Sequence, residues 1–153
     1  MRVKNLKEAQ FGCVITGADL EDLTATEWNT IHGLWNERAL LIFPKVFLTK
    51  EGQDNFAKKF GNLEFPRTAI SNLGQTGKIH KESNDDVVKV IRGNEGWHHD
   101  STYMPIQAKG AVFSAEIIPT AGGLTGWADM GAAYEALDPA KREKIDTLVA
   151  FHS

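Results

Sequence analysis

The spacing of apolar and polar residues changes several times along the 153-residue chain, and each change marks an element. Phe11 to Leu20 is a short apolar run that closes in a glycine-bearing turn, which predicts a strand. Thr24-Ala-Thr-Glu27 has the form of a capping box, and Trp28, Ile31, Leu34 and Trp35 follow at helical spacing. The tail of that helix runs into Ala39-Leu-Leu-Ile-Phe43, a continuous apolar run suited to a buried strand and ended by Pro44. A second helix is predicted from Thr49, burying Phe56 and Phe60 and stopping at Gly61. These aromatics are assigned to the core.

The pattern weakens over residues 62–96, where Pro, Gly, Ser, Asn and Asp interrupt it and Val87–Ile91 is the one strand-like piece. So long a loop-rich stretch within a compact domain predicts a substrate loop or lid. Beyond it, Trp97–Tyr103 and Gly110–Ile118 read as strands, Pro119–Gly123 as a turn, and Leu124–Asp129 as another short strand. Asp129 is placed to cap a helix through Ala132, Ala133, Tyr134 and Leu137. Asp138-Pro139 starts a last helix, with Asp at the N-cap and Pro at its first position. Ile145, Leu148 and Val149 are its expected buried face. The chain stops within an apolar stretch at Ser153, which reads as a cut rather than a natural terminus.

Chemistry concentrates in Trp97-His-His-Asp-Ser-Thr-Tyr103. On a strand alternate side chains share a face, so His98 and Asp100 point one way and His99 the other. An imidazole and a carboxylate side by side can clasp a divalent metal. With a second, remote histidine they make the two-histidine, one-carboxylate triad of non-haem Fe(II) oxygenases, which leaves open positions for dioxygen. Alone, the His-x-Asp tripeptide is a weak signal that many chains carry by chance.

Composition narrows the field. One domain of this length can bury a core, and a net charge of −3 without a basic block gives no sign of nucleic-acid binding. The single cysteine, Cys13, excludes an intrachain disulfide and a cysteine-built zinc site. No run approaches transmembrane length and no signal-peptide core opens the chain, so a reducing cytoplasm is the expected setting without membrane attachment.

Taken together these pieces resemble the Fe(II)- and 2-oxoglutarate-dependent dioxygenases typified by taurine dioxygenase and 2,4-dichlorophenoxyacetate dioxygenase. Four blocks carry the likeness in order: Gly12–Leu20; Ala39–Phe43 followed by Phe60-Gly-Asn-Leu63; Trp97–Tyr103; and Pro119–Met130 with Ala132–Leu137. The resemblance implies that His98 and Asp100 are the first two iron ligands. It implies that the Thr125 hydroxyl bonds a carboxylate of 2-oxoglutarate, and that Asn94 contacts substrate. It also implies a mainly β fold with flanking helices, a double-stranded β-helix (jelly roll), of which residues 1–153 form the N-terminal portion. The activity implied is hydroxylation of a small organic anion, a sulfonate or aryloxyalkanoate, by dioxygen, with release of succinate and carbon dioxide.

Leu124 stands where the family usually has Asp, and Gly131 where it often has Arg. The family's second iron histidine and its 2-oxoglutarate-binding arginine are expected beyond Ser153. His152 reads as an ordinary histidine near a helix end rather than the third ligand, and His99, His80 and His32 have no partner in the pattern. A chain ending at Ser153 leaves a jelly roll with open strand edges, a route to a homo-oligomer. The rival reading is a catalytically incomplete fragment or paralogue that acts only by association.

Overall fold

The computed structural model of the protein describes residues 1–7, 9–74 and 76–151. They fall into two compact units, one of Met1–Asn62 with Val112–Ala150 and one of Leu63–Ala111 with Phe151.

The first unit is organised by a three-stranded sheet of β1 (Arg2–Asn5), β2 (Cys13–Thr16) and β3 (Leu41–Ile42), in that spatial order. β2 pairs antiparallel with β1 and parallel with β3, in the register Val3↔Ile15 and Cys13↔Leu41. Gly12 and Gly17 flank β2 at φ of 82° and 72°, where a side chain would be strained. β1 has no apolar pattern to announce it, because all four of its residues are exposed and its backbone alone joins the sheet.

Helix α1 (Ala25–Arg38) forms where the capping box places it. The Thr24 hydroxyl accepts from the Glu27 N–H, while the Glu27 carboxylate accepts from the Thr24 N–H. It ends at Ala39, whose φ of 59° reverses the chain into β3, and the Ala39 N–H closes on the Trp35 carbonyl. This tight reversal uses up residues 39 and 40, so the strand expected over Ala39–Phe43 shortens to two residues. Helix α2 (Lys50–Lys58) is capped by Thr49, which accepts from the Gly52 N–H at 2.9 Å and donates to Glu21 at 2.8 Å.

The core lies between these elements. Cys13, Ile15, Leu20, Ile31 and Phe56 are buried, and Trp28, Leu34, Phe43 and Phe60 pack on them. Phe60 is the hub of the aromatic packing, with ring centroids 4.9 Å from Trp28, 4.8 Å from Trp35 and 5.4 Å from Phe56, all near edge-to-face. Burial pushes the Cys13 thiol upward, so it behaves as a small apolar side chain.

Helices α4 (Met130–Glu135) and α5 (Pro139–Asp146) start at Asp129 and Asp138, as their sequence signals require. Tyr134 donates to Asp146 at 2.6 Å and Arg142 donates to the Glu135 carbonyl at 2.6 Å, tying the two helices together. The expected buried face of α5 is not found. Ile145, Leu148 and Val149 are exposed, since no described element covers them.

In the second unit, Val87–Ile91 is not a strand but the body of helix α3 (Asp86–Gly93). Asp85 caps it, and Val87, Val90 and Ile91 recur at helical spacing, a signal that outweighs their β-branched character. The strands expected over Trp97–Tyr103, Gly110–Ile118 and Leu124–Asp129 are also absent. A strand exists through the ladder it makes with a neighbour, and among the described residues these segments make none. Residues 110–118 and 124–129 nevertheless approach one another through the rings of Phe113 and Trp127, 5.9 Å apart. Helix therefore outweighs strand among the described residues, against the mainly β balance expected. Their strands form one three-stranded sheet. No described helix is long and apolar enough to cross a membrane.

Two predictions follow from the caps. Thr49→Ala removes the side-chain acceptor for Gly52 and should lower unfolding free energy in a denaturant titration by about 1 kcal/mol. The hydrogen bonds from Thr24 hold the Glu27 carboxyl below its usual range. Its contribution is therefore complete above the ordinary glutamate range and lost as pH falls through the lowered value. The stability difference between wild type and Glu27→Gln should be flat near neutrality and shrink on acidification in pH-resolved melts.

Candidate metal-binding turn and its surroundings

His98 and Asp100 come together in the second unit. His98 Nε2 lies 3.2 Å from Asp100 Oδ1, with the two side chains 48% and 61% exposed. The cause is not strand alternation. Residues 97–99 are irregular and 100–103 form a turn, in which Ser101 takes the left-handed φ of 61° and is buried. The Met104 N–H closes that turn on the Ser101 carbonyl at 3.0 Å. A chain reversal, rather than a pleat, sets carboxylate against imidazole.

The other ring nitrogen fixes the tautomer. His98 Nδ1 is 2.7 Å from the Gly96 carbonyl oxygen. A carbonyl can only accept, so Nδ1 carries a proton and Nε2 is the nitrogen that faces Asp100. Two acceptor atoms 3.2 Å apart repel unless a cation lies between them, either a second ring proton or a metal. The separation suits a metal: ligand atoms about 2.1 Å from an octahedral ion sit about 3 Å apart along an edge. A histidine whose far N–H is held by a backbone carbonyl is also the usual arrangement around protein-bound metals. The residues present thus fit a divalent ion as two of its ligands. Among the described residues, no group of three or more His, Cys, Asp or Glu side chains gathers around a common point.

The remaining sequence-derived positions are placed as follows. Asn94 is the C-cap of α3, its N–H shared between the Val90 and Ile91 carbonyls, two residues before the carbonyl that orients His98. Thr125 belongs to the first unit, exposed in the irregular segment before α4. Leu124 beside it is 96% exposed, and Gly131 lies in the first turn of α4. His99 is exposed, and His32 lies on α1 with its ring near Trp28. His152 falls outside the described residues.

His80, without a partner in the sequence pattern, has one in the structure. Its Nδ1 lies 2.6 Å from Asp85 Oδ2, and the two side chains are only 28% and 27% exposed. That hydrogen bond holds the Asp85 carboxyl below its usual range. The signal that could have revealed it is the spacing: a carboxylate at the N-cap of α3, five residues after a histidine and separated from it by the Ser-Asn turn.

The model of the taurine catabolism dioxygenase TauD, TfdA family matches residues 2–153. The chain is 54% identical over 147 residues to the (S)-phenoxypropionate/alpha-ketoglutarate-dioxygenase of Sphingobium herbicidovorans, covering 95% of this chain and 51% of that protein. It is 31% identical over 166 residues to the alpha-ketoglutarate-dependent 2,4-dichlorophenoxyacetate dioxygenase of Cupriavidus pinatubonensis, covering 98% of this chain and 58% of that one. Among solved structures it is similar to AAD-2 in complex with Mn(II) and N-oxalylglycine. There the TM-score is 0.85 at 33% identity, over 95% of this chain and 54% of that one. The chain spans about half the length of the curated relatives it matches. With the family model matching nearly every residue, the chain belongs to the taurine catabolism dioxygenase TauD, TfdA family.

Proposed function

We propose that this chain is part of an Fe(II)- and 2-oxoglutarate-dependent dioxygenase that hydroxylates a small organic anion, of the aryloxyalkanoate or sulfonate type. The observation that carries the proposal is His98 Nε2 facing Asp100 Oδ1 at 3.2 Å, with Nδ1 held by the Gly96 carbonyl. In this reading the complete domain is a double-stranded β-helix, and residues 62–96 supply a substrate loop or lid. The aryloxyalkanoate class is favoured by the names of the two relatives described above.

His98 and Asp100 would hold the iron, which supplies the activation of dioxygen that no side chain can perform. The protein's own tasks are binding and orientation. The Gly96 carbonyl holds the His98 ring in one orientation, with Nε2 the nitrogen offered to the metal. The Thr125 hydroxyl would donate to a carboxylate of 2-oxoglutarate, and the Asn94 side chain would meet the substrate. Held together in this way, the reactants gain effective concentration and exclude water. A second reading, an incomplete paralogue that acts by association, draws on the two-donor count among the described residues. Succinate formation by the intact gene product, dependent on Fe(II) and 2-oxoglutarate, separates the two readings.

Replacing His98 or Asp100 with Ala should abolish Fe(II)-dependent succinate release in the intact gene product, whereas His99→Ala should retain most of it. Equal losses at His98 and His99 would overturn the ligand assignment. Thr125→Val keeps the shape and deletes the donor. A charge-assisted hydrogen bond of about 1.5–3 kcal/mol is then lost, so the KM for 2-oxoglutarate should rise roughly tenfold or more. An unchanged KM would mean that the hydroxyl serves another purpose.

A further inference from the structure

No apolar side chain of the second unit is buried among the described residues, so its order comes from hydrogen bonds. Those bonds form a nearly continuous path to the metal-binding turn. It begins in a small hairpin, bridged at Leu73↔Ile79, where the Gly74 N–H meets the Lys78 carbonyl at 2.8 Å and the His80 N–H meets the Asn72 carbonyl at 2.8 Å. The hairpin presents the His80 ring to Asp85, with Nδ1 donating to Oδ2 at 2.6 Å. Gly74 is needed there for space, because a Cβ on it would lie 2.7 Å from His80 Nε2. The second oxygen of Asp85 accepts the Val87 N–H at 2.9 Å and starts α3. At the far end of the helix the Glu95 N–H closes on the Arg92 carbonyl at 3.1 Å, and the next residue, Gly96, offers its carbonyl to His98.

We propose that His80 and Asp85 form a clasp that positions the His98–Asp100 pair, by fixing the start of α3 against the hairpin. The inference rests on the reading of His98 and Asp100 as metal ligands. Neither clasp residue touches the metal pair. They act through the helix, which transmits a constraint at its N-terminus to the carbonyl just past its C-terminus. The geometry suits a short charge-assisted bond, partly shielded from solvent, unlike the exposed Lys89–Asp86 ion pair one residue along. The lowered Asp85 carboxyl agrees, since its largest cause is the His80 hydrogen bond. Asp85 thus has two separable tasks, capping α3 with one oxygen and holding His80 with the other.

That separation supplies the test. In the intact gene product, Mn(II) affinity is measured by calorimetric titration, which avoids the air oxidation of Fe(II). Amide exchange is followed over residues 86–95. His80→Ala breaks the clasp and leaves the cap. Asp85→Ser does the same, since Ser caps a helix well but is too short to reach the ring. His80→Asn restores an N–H donor near the position of Nδ1. A change in the immediate surroundings of a metal ligand costs 10–100-fold in affinity, so a more remote clasp should cost about three- to tenfold. We expect that loss, with faster exchange over 86–95, in His80→Ala and Asp85→Ser, and recovery in His80→Asn. A merely structural histidine would not be rescued by an amide donor.

The inference is overturned if both clasp-breaking variants bind Mn(II) like wild type while His98→Ala does not, or if His80→Asn is as weak as His80→Ala. Should His80→Ala fail to fold, Asp85→Ser decides alone. Mn(II) binding unaffected by His98→Ala would reject the ligand reading itself, and the clasp's positioning role with it.

Discussion

The first unit depends on how β2 is seated. Its two inward residues, Cys13 and Ile15, are among the most buried in the protein, and its backbone is held on both edges. The Gly12 N–H reaches the Arg38 carbonyl at 2.8 Å and the Cys13 N–H reaches the Leu40 carbonyl at 2.9 Å, so the end of α1 and the start of the sheet satisfy each other's backbone groups. This fixes α1 across β2, points Ile31 into the core, and brings Trp28 and Trp35 onto Phe60. A buried sheet edge would otherwise leave unpaired polar groups, each costing about 1–3 kcal/mol.

The second unit is held differently, and the difference bears on function. Where no apolar cluster locks side chains in place, geometry must come from directional bonds, and these run along the hairpin, the capped helix and the turn that carries His98 and Asp100. Directional bonds position a ligand well but contribute little net stability each, about 0.5–1.5 kcal/mol. Such a segment opens locally more readily than one built on a core. That property suits a region read as a substrate loop, since access and closure both require movement there.

Much of the fold was legible because its signals are local. Caps at Thr24, Thr49, Asp129 and Asp138 each depend on a side chain and an N–H three residues away, and all four appear where the residue pattern places them. The aromatic core was legible for a similar reason, since helical spacing alone puts Trp28, Ile31 and Trp35 on one face. Val87–Ile91 shows where such reading goes astray. Its β-branched composition suggested a strand, while the carboxylate before it started a helix.

The sequence by itself singled out His98 and Asp100 as candidate metal ligands and showed which family the order of blocks resembles. Only the tertiary structure decided how these two side chains meet. They approach through a turn with Ser101 at a positive φ, with the His98 tautomer fixed by the Gly96 carbonyl. It alone gave His80 a partner, and it left residues 97–103, 110–118 and 124–129 without strand ladders. The physical reason is one of range. A cap or a helical stripe is settled within a few residues of itself, whereas a ladder depends on which distant segment lies alongside, and a tautomer on which carbonyl the fold brings to the ring.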